Sequence, residues 1–259
     1  MDFAVADYNE DGNPDFSVNN YQKHYAELFL GNGDGTFRHS QSFYLGFPSI
    51  GMDAEDINGD GHADFVSAQY YSYYNTKKKL MVHLGDGTGS FSALTIELNP
   101  MGSNYYNYRY HWGITLSDFD NNGKIDVVTN NYYYTLGNNN MLGFYKGNGD
   151  GTFEAEPVKS LAQPDYSYLC SLESLDNVDI NQDGNMDILM AASYNRTVLV
   201  ALGNGDGTFR LSDQDPVYVG DNHLFGISTL PFDADINKAP ITGADRPYSG
   251  ITDGINHGY

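Results

Sequence analysis

Four short acidic segments carry most of the residues that could do chemistry in this sequence. They read DYNEDGNPD, DINGDGHAD, DFDNNGKID and DINQDGNMD, and they begin at Asp7, Asp56, Asp118 and Asp179. In each segment, side-chain oxygens stand at positions 1, 3, 5 and 9, a glycine at position 6 permits a sharp turn, and position 7 offers its backbone carbonyl. Hard oxygen ligands in this number suit Ca²⁺, whereas Mg²⁺ wants a stricter octahedron and keeps more water. No His or Cys stands at a side-chain ligand position, which argues against zinc and copper.

The pattern therefore predicts one Ca²⁺ per segment, about four in all. Every segment has three acids and one amide at the four side-chain positions, and four divalent ions would move the formal net charge from −21 to −13. The predicted side-chain ligands are Asp7, Asn9, Asp11, Asp15, Asp56, Asn58, Asp60, Asp64, Asp118, Asp120, Asn122, Asp126, Asp179, Asn181, Asp183 and Asp187. The predicted backbone-carbonyl ligands are Asn13, His62, Lys124 and Asn185.

Two other structures share part of this pattern. An EF-hand has the same opening spacing, but it needs a glutamate at position 12 and flanking helices. Position 12 is here Val18, Ser67, Thr129 or Met190, which excludes an EF-hand. Metal-free turns are the other alternative, because Asp and Asn favour turns without any ion. Four copies that all retain the ninth-position aspartate favour the metal-bound interpretation.

The composition narrows the classes of partner. A chain of 259 residues is long enough for one large domain or two small ones. Its 34 acidic and 13 basic residues disfavour nucleic acid and anionic membranes, since phosphate binding needs clustered Lys and Arg. The single cysteine, Cys170, excludes an intrachain disulfide and is interpreted as a small buried apolar residue. No stretch approaches the roughly 20 apolar residues of a membrane span.

A second motif alternates with the acidic segments and divides the chain into repeats. GNGDGTF, or its variant GDGTGSF, occupies 31–37, 85–91, 147–153 and 203–209. Apolar and polar residues alternate around both motifs, with many β-branched and aromatic side chains, which predicts four short strands per repeat. Tandem four-stranded units are typical of a β-propeller, an all-β fold in which each unit is a blade. The alternative is an open β-solenoid, although its repeats are shorter.

The predicted blade boundaries follow the two motifs. Four full repeats and the start of a fifth are predicted at 1–49, 50–111, 112–172, 173–225 and 226–235. Residues 236–259 are interpreted as an irregular tail or a degenerate fifth blade. In each Gly-rich turn the aspartate is predicted to shape the turn and the phenylalanine to anchor the next strand in the core. These residues are Asp34, Asp86, Asp150 and Asp206, and Phe37, Phe91, Phe153 and Phe209.

On these loops and turns the chain resembles the FG-GAP/VCBS repeats, which are seen in integrin α-subunit propellers and many secreted bacterial proteins. The resemblance covers roughly residues 1–235. It implies that each acidic loop joins the first two strands of a blade and holds Ca²⁺, and that the protein is extracellular or at the cell surface. Propellers of this family usually have seven blades, whereas this chain has four and a fraction. The expectation is a part of a longer chain, a smaller ring, or a subunit whose last strand completes its neighbour.

The 22 tyrosines are distributed unlike core residues. Their runs fall in predicted connections between strands 2 and 3 or between blades, on the face opposite the acidic loops. Tyr and Asn together offer flat apolar faces with hydrogen-bonding tips, which is the chemistry of sugar and protein recognition. The predicted ligand-binding residues are Tyr70, Tyr71, Tyr73, Tyr74, Tyr105, Tyr106, Tyr108, Tyr132, Tyr133 and Tyr134.

The sequence thus predicts an extracellular calcium-binding propeller module for recognition or adhesion, with a carbohydrate or protein ligand. No nucleophile elbow, His-rich metal site or distinctive acid/base pair stands out, so no catalytic residue is predicted and an enzyme is not expected. A polysaccharide-acting enzyme, or its ancillary domain, is one alternative. A self-assembling structural subunit, joined through the incomplete fifth blade, is another.

Overall fold

The computed structural model describes most of the first 219 residues. The described ranges are 2–72, 77–99, 109–110, 113–130, 140–155, 158–162, 172–192, 196–213 and 217–219. Within them all of the regular secondary structure is β-strand, and no helix is long and apolar enough to cross a membrane. The predicted fifth repeat, the tail from 236 and Cys170 lie outside the described residues.

The strands form antiparallel sheets whose members follow one another along the chain. Their bounds are β1 (Phe3–Ala6), β2 (Asp15–Asn20), β3 (Tyr25–Gly31), β4 (Phe37–Tyr44), β5 (Ser49–Glu55), β6 (Asp64–Gln69), β7 (Tyr71–Ser72), β8 (Lys78–Gly85), β9 (Phe91–Leu98), β10 (Arg109–Tyr110), β11 (Ile114–Ser117), β12 (Asp126–Asn130), β13 (Asn140–Tyr145), β14 (Val158–Ala162), β15 (Leu172–Val178), β16 (Asp187–Ala192), β17 (Thr197–Gly203), β18 (Phe209–Leu211) and β19 (Val217–Tyr218).

Four of the sheets are the blades of a propeller, which confirms the predicted all-β fold class and four-stranded units. Blade 1 is β1–β4, blade 2 is β5, β6, β8 and β9, blade 3 is β11–β14, and blade 4 is β15–β18. The first strands of consecutive blades contact one another in the order β1, β5, β11, β15. Two pairings were not predicted: β7 pairs with β10 in a small separate sheet, and β19 adds to β17. The described blades do not close into a ring.

The Gly-rich turn joins the third and fourth strands of each blade. Asp34 Oδ1 accepts the backbone N–H of Thr36 at 2.9 Å and its hydroxyl at 2.5 Å, and the other three turns repeat this pair of bonds. The predicted role of the turn aspartates is therefore confirmed. The first glycine of the turn is required because of a close approach of two backbone segments. A Cβ at Gly85 would collide with the carbonyl oxygen of Ala63, at the end of the acidic loop of the same blade.

The apolar cores lie between consecutive blades. One cluster joins blades 1 and 2, a second joins blades 2 and 3, and a third joins blades 3 and 4. The second residue of the first three acidic segments fills the gap to the following blade: Tyr8, Ile57 and Phe119 are at most 2 % exposed. Tyr8, for example, packs edge-on against Phe65 and Phe91 of blade 2, with ring centroids 5.8 and 5.6 Å apart.

The turn phenylalanines pack toward the preceding blade, and this corrects one prediction. Phe153 and Phe209 are buried, and Phe91 packs in the cluster between blades 1 and 2, so the core position is confirmed for these three. The same prediction is wrong for Phe37, whose exposure is 48 %. No blade precedes blade 1 within the described part of the chain, so Phe37 packs edge-on against Phe16 of its own sheet, at 4.9 Å.

Blade 1 therefore presents an apolar sheet face to solvent. We call it the open face and define it by Phe3, Val5, Phe16, Phe29 and Phe37. Phe3 and Val5 are 64 % and 56 % exposed, and the rings of Phe16 and Phe29 stack with centroids 4.8 Å apart. Met52 stands in blade 2 where Phe3 stands in blade 1, and it is buried in the cluster that joins the two blades. The open face thus has the residue types of an interblade core.

Ile57 and Ile180 test the interblade packing, because they share one loop position but are 2 % and 49 % exposed. We expect Ile57→Ala to lower the free energy of unfolding by about 2–4 kcal/mol, since it leaves a cavity between blades 2 and 3. We expect Ile180→Ala to cost less than about 1 kcal/mol, since its side chain is already half in water. Urea denaturation followed by circular dichroism measures both. Equal losses would contradict the packing described for this loop position.

Candidate metal centre

The acidic segments form four loops with one shared backbone turn, each between the first two strands of its blade, as predicted. We call them loop 1 (7–15), loop 2 (56–64), loop 3 (118–126) and loop 4 (179–187). The glycine at position 6 has φ between 82° and 89° in all four. Position 4 is also left-handed, although three loops lack glycine there: Glu10, Asn121 and Gln182 have φ of 54°, 55° and 60°. That conformation is unfavourable for these residues, so contacts within the loop must hold it.

The first aspartate of each loop organises the turn. In loop 2, Asp56 Oδ1 accepts the backbone N–H of Asp60 at 3.1 Å, and Oδ2 accepts that of Gly61 at 2.9 Å. The same two bonds recur in loops 1, 3 and 4 at 2.7–3.1 Å. Backbone N–H dipoles thus offset part of the charge of this carboxylate.

The ninth aspartate is buried and joins each loop to the Gly-rich turn of its own blade. Asp64 is 0 % exposed; its Oδ2 accepts the N–H of Ile57 at 2.9 Å, and its Oδ1 accepts that of Gly85 at 2.7 Å. The ninth aspartates of the other loops, equally buried, make the corresponding bonds at 2.7–3.1 Å. In every blade one carboxylate therefore holds the two sequence motifs together.

The charge of the loops exceeds what these bonds offset. The pKa of Asp64 and of Asp126 is raised to about 6, because burial and the neighbouring loop carboxylates raise it by more than the backbone donors lower it. Burial likewise raises the pKa of Asp15 and of Asp187 above the ordinary value. A carboxylate in such a place is more stable with a cation beside it. The electrostatics of the loops therefore favour a bound cation.

Loop 3 differs from the other loops at positions 3 and 5. In loops 1, 2 and 4, the asparagine Nδ2 at position 3 donates to the aspartate Oδ2 at position 5, at 2.8–3.1 Å. Loop 3 has the acid and the amide exchanged, with Asp120 at position 3 and Asn122 at position 5. Asp118, Asp120 and Asp126 consequently place one oxygen each within 4.8 Å of one another, the one such group of His, Cys, Asp or Glu within the described ranges.

Asp120 has an incomplete set of partners. Its side chain is 5 % exposed, and its Oδ2 accepts the ammonium Nζ of Lys146 at 2.6 Å. Its Oδ1 is buried and, among the described residues, has no hydrogen-bond partner. A buried oxygen without a partner is costly and calls for a specific explanation. A cation between the three carboxylates of loop 3 would supply the partner, and an all-oxygen ligand set fits Ca²⁺.

Neighbouring loops also contact each other through their side chains. Position 4 of one loop meets position 7 of the next: Glu10 Oε1 lies 2.5 Å from His62 Nδ1, and Asn121 Nδ2 donates to Asn185 Oδ1 at 2.8 Å. The hydrogen bond to Glu10 raises the pKa of His62, and the charge of Glu10 adds to the effect. His62 and Asn185 are predicted to bind metal through the backbone carbonyl, so their side chains are free to link the loops.

The described part of the chain contains few of the predicted ligand-binding tyrosines. Tyr70 follows β6, and Tyr71 lies in β7, where it pairs with Tyr110 of β10. Tyr73, Tyr74, Tyr105, Tyr106, Tyr108, Tyr132, Tyr133 and Tyr134 lie outside the described residues. Tyr21 was not among the predicted residues, and its ring packs edge-on against that of Tyr70 with centroids 5.3 Å apart. Alignment of the repeats relates Tyr21 to Tyr70, because each residue directly follows the second strand of its blade.

Comparisons with known proteins bear on the fold. A family model described as FG-GAP-like repeat matches residues 7–67 and 56–129, which include loops 1 to 3. Among curated protein sequences, none matches this chain significantly. Among solved structures, a lectin of Agrocybe aegerita, reported for specific recognition of non-reducing terminal N-acetylglucosamine, matches over 80 % of this chain and 51 % of its own, with 21 % identity and a TM-score of 0.50. This chain thus spans about half the length of that lectin, and the likeness concerns the propeller fold alone.

Substitutions at Asp64 and Asp60 compare the structural role of the buried ninth aspartate of loop 2 with that of its exposed fifth aspartate. We expect Asp64→Asn to lower the free energy of unfolding by about 1–3 kcal/mol in the presence of a chelator, because a buried backbone N–H loses its acceptor. We expect Asp60→Asn to cost less than about 1 kcal/mol under the same conditions, since its partners reach water. Chemical denaturation in EDTA at pH 7.5 gives both values. If Asp64→Asn were as stable as wild type in EDTA, the role of the ninth aspartate in joining the loop to the Gly-rich turn would be refuted.

Proposed function

We propose that this chain, in which an FG-GAP-like repeat model matches residues 7–67 and 56–129, is an extracellular, calcium-stabilised propeller module that recognises a carbohydrate or protein ligand. The observation that carries the calcium role is loop 3, where three carboxylates converge and a buried oxygen of Asp120 lacks a partner. Loops 1, 2 and 4 support it, because they repeat the same turn and the same number of acids.

In this proposal the side chains at positions 1, 3, 5 and 9 and the carbonyl at position 7 hold the ion in each loop. Ca²⁺ supplies positive charge among carboxylates whose repulsion the backbone offsets only in part. The ninth aspartate transmits the effect to the rest of the blade, since it also accepts the N–H groups of position 2 and of the Gly-rich turn. Calcium is then structural, and its binding free energy contributes to folding.

The proposed ligand surface lies at the end of the blades opposite the loops. There Tyr21 and Tyr70 form an aromatic pair between blades 1 and 2, and the small β7–β10 sheet lies directly after Tyr70. Both tyrosines are partly exposed. An aromatic pair with phenolic hydroxyls offers apolar contact and hydrogen bonds together, which suits a sugar ring or an extended peptide.

The calcium role predicts a metal-dependent melting temperature. We expect EDTA to lower the melting temperature of the wild-type protein by roughly 10 °C or more relative to 1 mM Ca²⁺, because the loop carboxylates lose their cation. Asp60→Asn should show a smaller difference between the two conditions, since loop 2 then has one charge fewer for the ion. Differential scanning calorimetry measures the shift, with Mg²⁺ as the control cation. Identical melts in EDTA and Ca²⁺ would refute the calcium role.

The proposed ligand surface leads to a prediction about glycan binding. We expect the calcium-loaded protein to bind members of a glycan array, with terminal N-acetylglucosamine as one probe, and Tyr21→Ala or Tyr70→Ala to weaken binding by about tenfold. Tyr218→Ala, an exposed tyrosine of β19, is the matched control and should bind as wild type does. Unchanged binding by both variants would remove the aromatic pair from the ligand surface.

The open face of blade 1 favours a second candidate function, assembly with a second copy of this chain. Each described junction packs the following side of one blade against the preceding side of the next. The open face is a preceding side, and Ile180 in loop 4, exposed at the position that Ile57 fills in loop 2, belongs to a following side. The two surfaces are therefore complementary by the rule of the internal junctions, which favours a head-to-tail contact.

Assembly is tested by the oligomeric state. We expect the wild-type mass in sedimentation equilibrium to rise with protein concentration, and Phe37→Asp to remain a monomer because it places a charge on the open face. Ser92→Asp, on an exposed position of β9, is the matched control and should associate as wild type does. A wild-type monomer at every concentration, or association by Phe37→Asp, would contradict this second function.

A further inference from the structure

Lys146 is a residue at which blade 3 departs from the other three blades. It directly precedes the first glycine of the Gly-rich turn, and the other blades carry leucine there, namely Leu30, Leu84 and Leu202. Blade 3 also has the one loop with an acid, Asp120, at position 3, where the other loops carry asparagine. Two departures thus occur together in one blade, 26 residues apart, and the fold brings them into contact.

The contact joins a buried acid to a partly exposed base. Lys146 Nζ lies 2.6 Å from Asp120 Oδ2; the side chain of Asp120 is 5 % exposed, and that of Lys146 is 39 % exposed. An ion pair between two exposed side chains contributes little to stability. Here one partner is buried, so removal of the ammonium would leave a carboxylate that water reaches poorly. The lysine therefore stabilises loop 3 without any metal ion.

The same lysine lowers the negative charge that a cation would meet in loop 3. Each loop has three carboxylates at its ligand positions, but loop 3 also has Lys124 at position 7 and Lys146 on Asp120. Counting Asp, Glu and Lys side chains, its net charge is −1 with Lys146 included, against −4 in loop 1 and −3 in loops 2 and 4. Arg38 and Arg210 act on the fifth aspartates of loops 1 and 4 from a distance, and neither forms an ion pair with a described loop carboxylate.

We propose that Lys146 is a tethered cation of loop 3, whose ammonium replaces part of the charge that Ca²⁺ supplies in the other loops. Loop 3 accordingly binds Ca²⁺ more weakly than loops 1, 2 and 4, and it keeps its shape when Ca²⁺ is scarce. This inference rests on the proposed calcium role. Loop 3 carries Phe119, which packs edge-on against Phe209 of blade 4 at 5.6 Å. The junction between blades 3 and 4 therefore depends least on calcium.

The test requires the Ca²⁺ affinity of each loop separately. The backbone N–H signal of the glycine at position 6 can report it. The N–H groups of Gly12, Gly61, Gly123 and Gly184 each donate to the first aspartate of their loop. Their resonances in ¹⁵N-glycine-labelled protein report calcium binding loop by loop. In the wild-type protein we expect the Gly123 signal to respond at a higher Ca²⁺ concentration than the other three.

The diagnostic variant is Lys146→Leu, which gives blade 3 the residue that the other blades have. We expect it to tighten calcium binding at Gly123 by about tenfold, since a positive charge beside the ion is removed. The other three glycines should titrate as in wild type. Lys79→Leu, an exposed position of β8, changes the net charge equally and is the matched control; it should leave all four affinities unchanged.

A stability measurement gives an independent readout of the same lysine. In chelator, Lys146→Leu should lower the melting temperature, because Asp120 loses its ammonium partner. In saturating Ca²⁺ the difference from wild type should shrink or change sign. Equal effects in both conditions would show an ordinary structural lysine and would overturn the inference.

The remaining outcomes separate this inference from the proposed function. If no loop glycine of the wild-type protein responds to Ca²⁺, the calcium role fails, and the tethered cation fails with it. If all four respond with equal affinity, or Lys146→Leu leaves Gly123 unchanged, the inference is overturned while the calcium role stands. Should Lys146→Leu fail to fold, the triple variant Asn181→Asp/Asp183→Asn/Leu202→Lys transplants the arrangement into loop 4. It should weaken binding at Gly184 by about tenfold, and unchanged binding there would overturn the inference.

Discussion

The buried ninth aspartate is the constraint on which each blade depends. Its two oxygens accept one N–H from the acidic loop and one from the Gly-rich turn, so a single carboxylate fixes the first, second and third strands at one corner. Such a group is stable only when its donors are in place, because a buried carboxylate without partners is costly. The two sequence motifs therefore recur in one phase: the second supplies a donor that the first requires.

Repetition allowed much of this fold to be predicted from the sequence. The loops, the turn aspartates, the four-stranded sheets and three of the four anchoring phenylalanines follow from local patterns that do not depend on the rest of the molecule. Phe37 could not be placed in this way, because its burial depends on a neighbouring blade and not on its own segment. The β7–β10 pair was missed for a different reason, since two-residue strands are too short to show an alternation of apolar and polar residues.

The interblade cores explain why identical positions have different environments. Where blades adjoin, apolar residues on one side of a blade are buried by the blade before it, and the second residue of the loop is buried by the blade after it. Tyr8 and Ile180 hold the same position, yet one is buried and the other half exposed. Burial in a repeat protein is thus set by the presence of neighbours, as expected when each unit contacts only adjacent units.

The acidic loops show the limit of counting candidate ligands along a sequence. All four loops have three acids and one amide at the ligand positions, so these residue types alone do not distinguish the four predicted sites. The structure distinguishes them, because exchanging the acid and the amide moves a carboxylate to a buried position where Lys146 can reach it. A residue 26 positions away in the chain, directly before the Gly-rich turn, therefore decides how much charge remains for a cation. Charge balance at such a site depends on the fold, and residue types at ligand spacing specify only the donors.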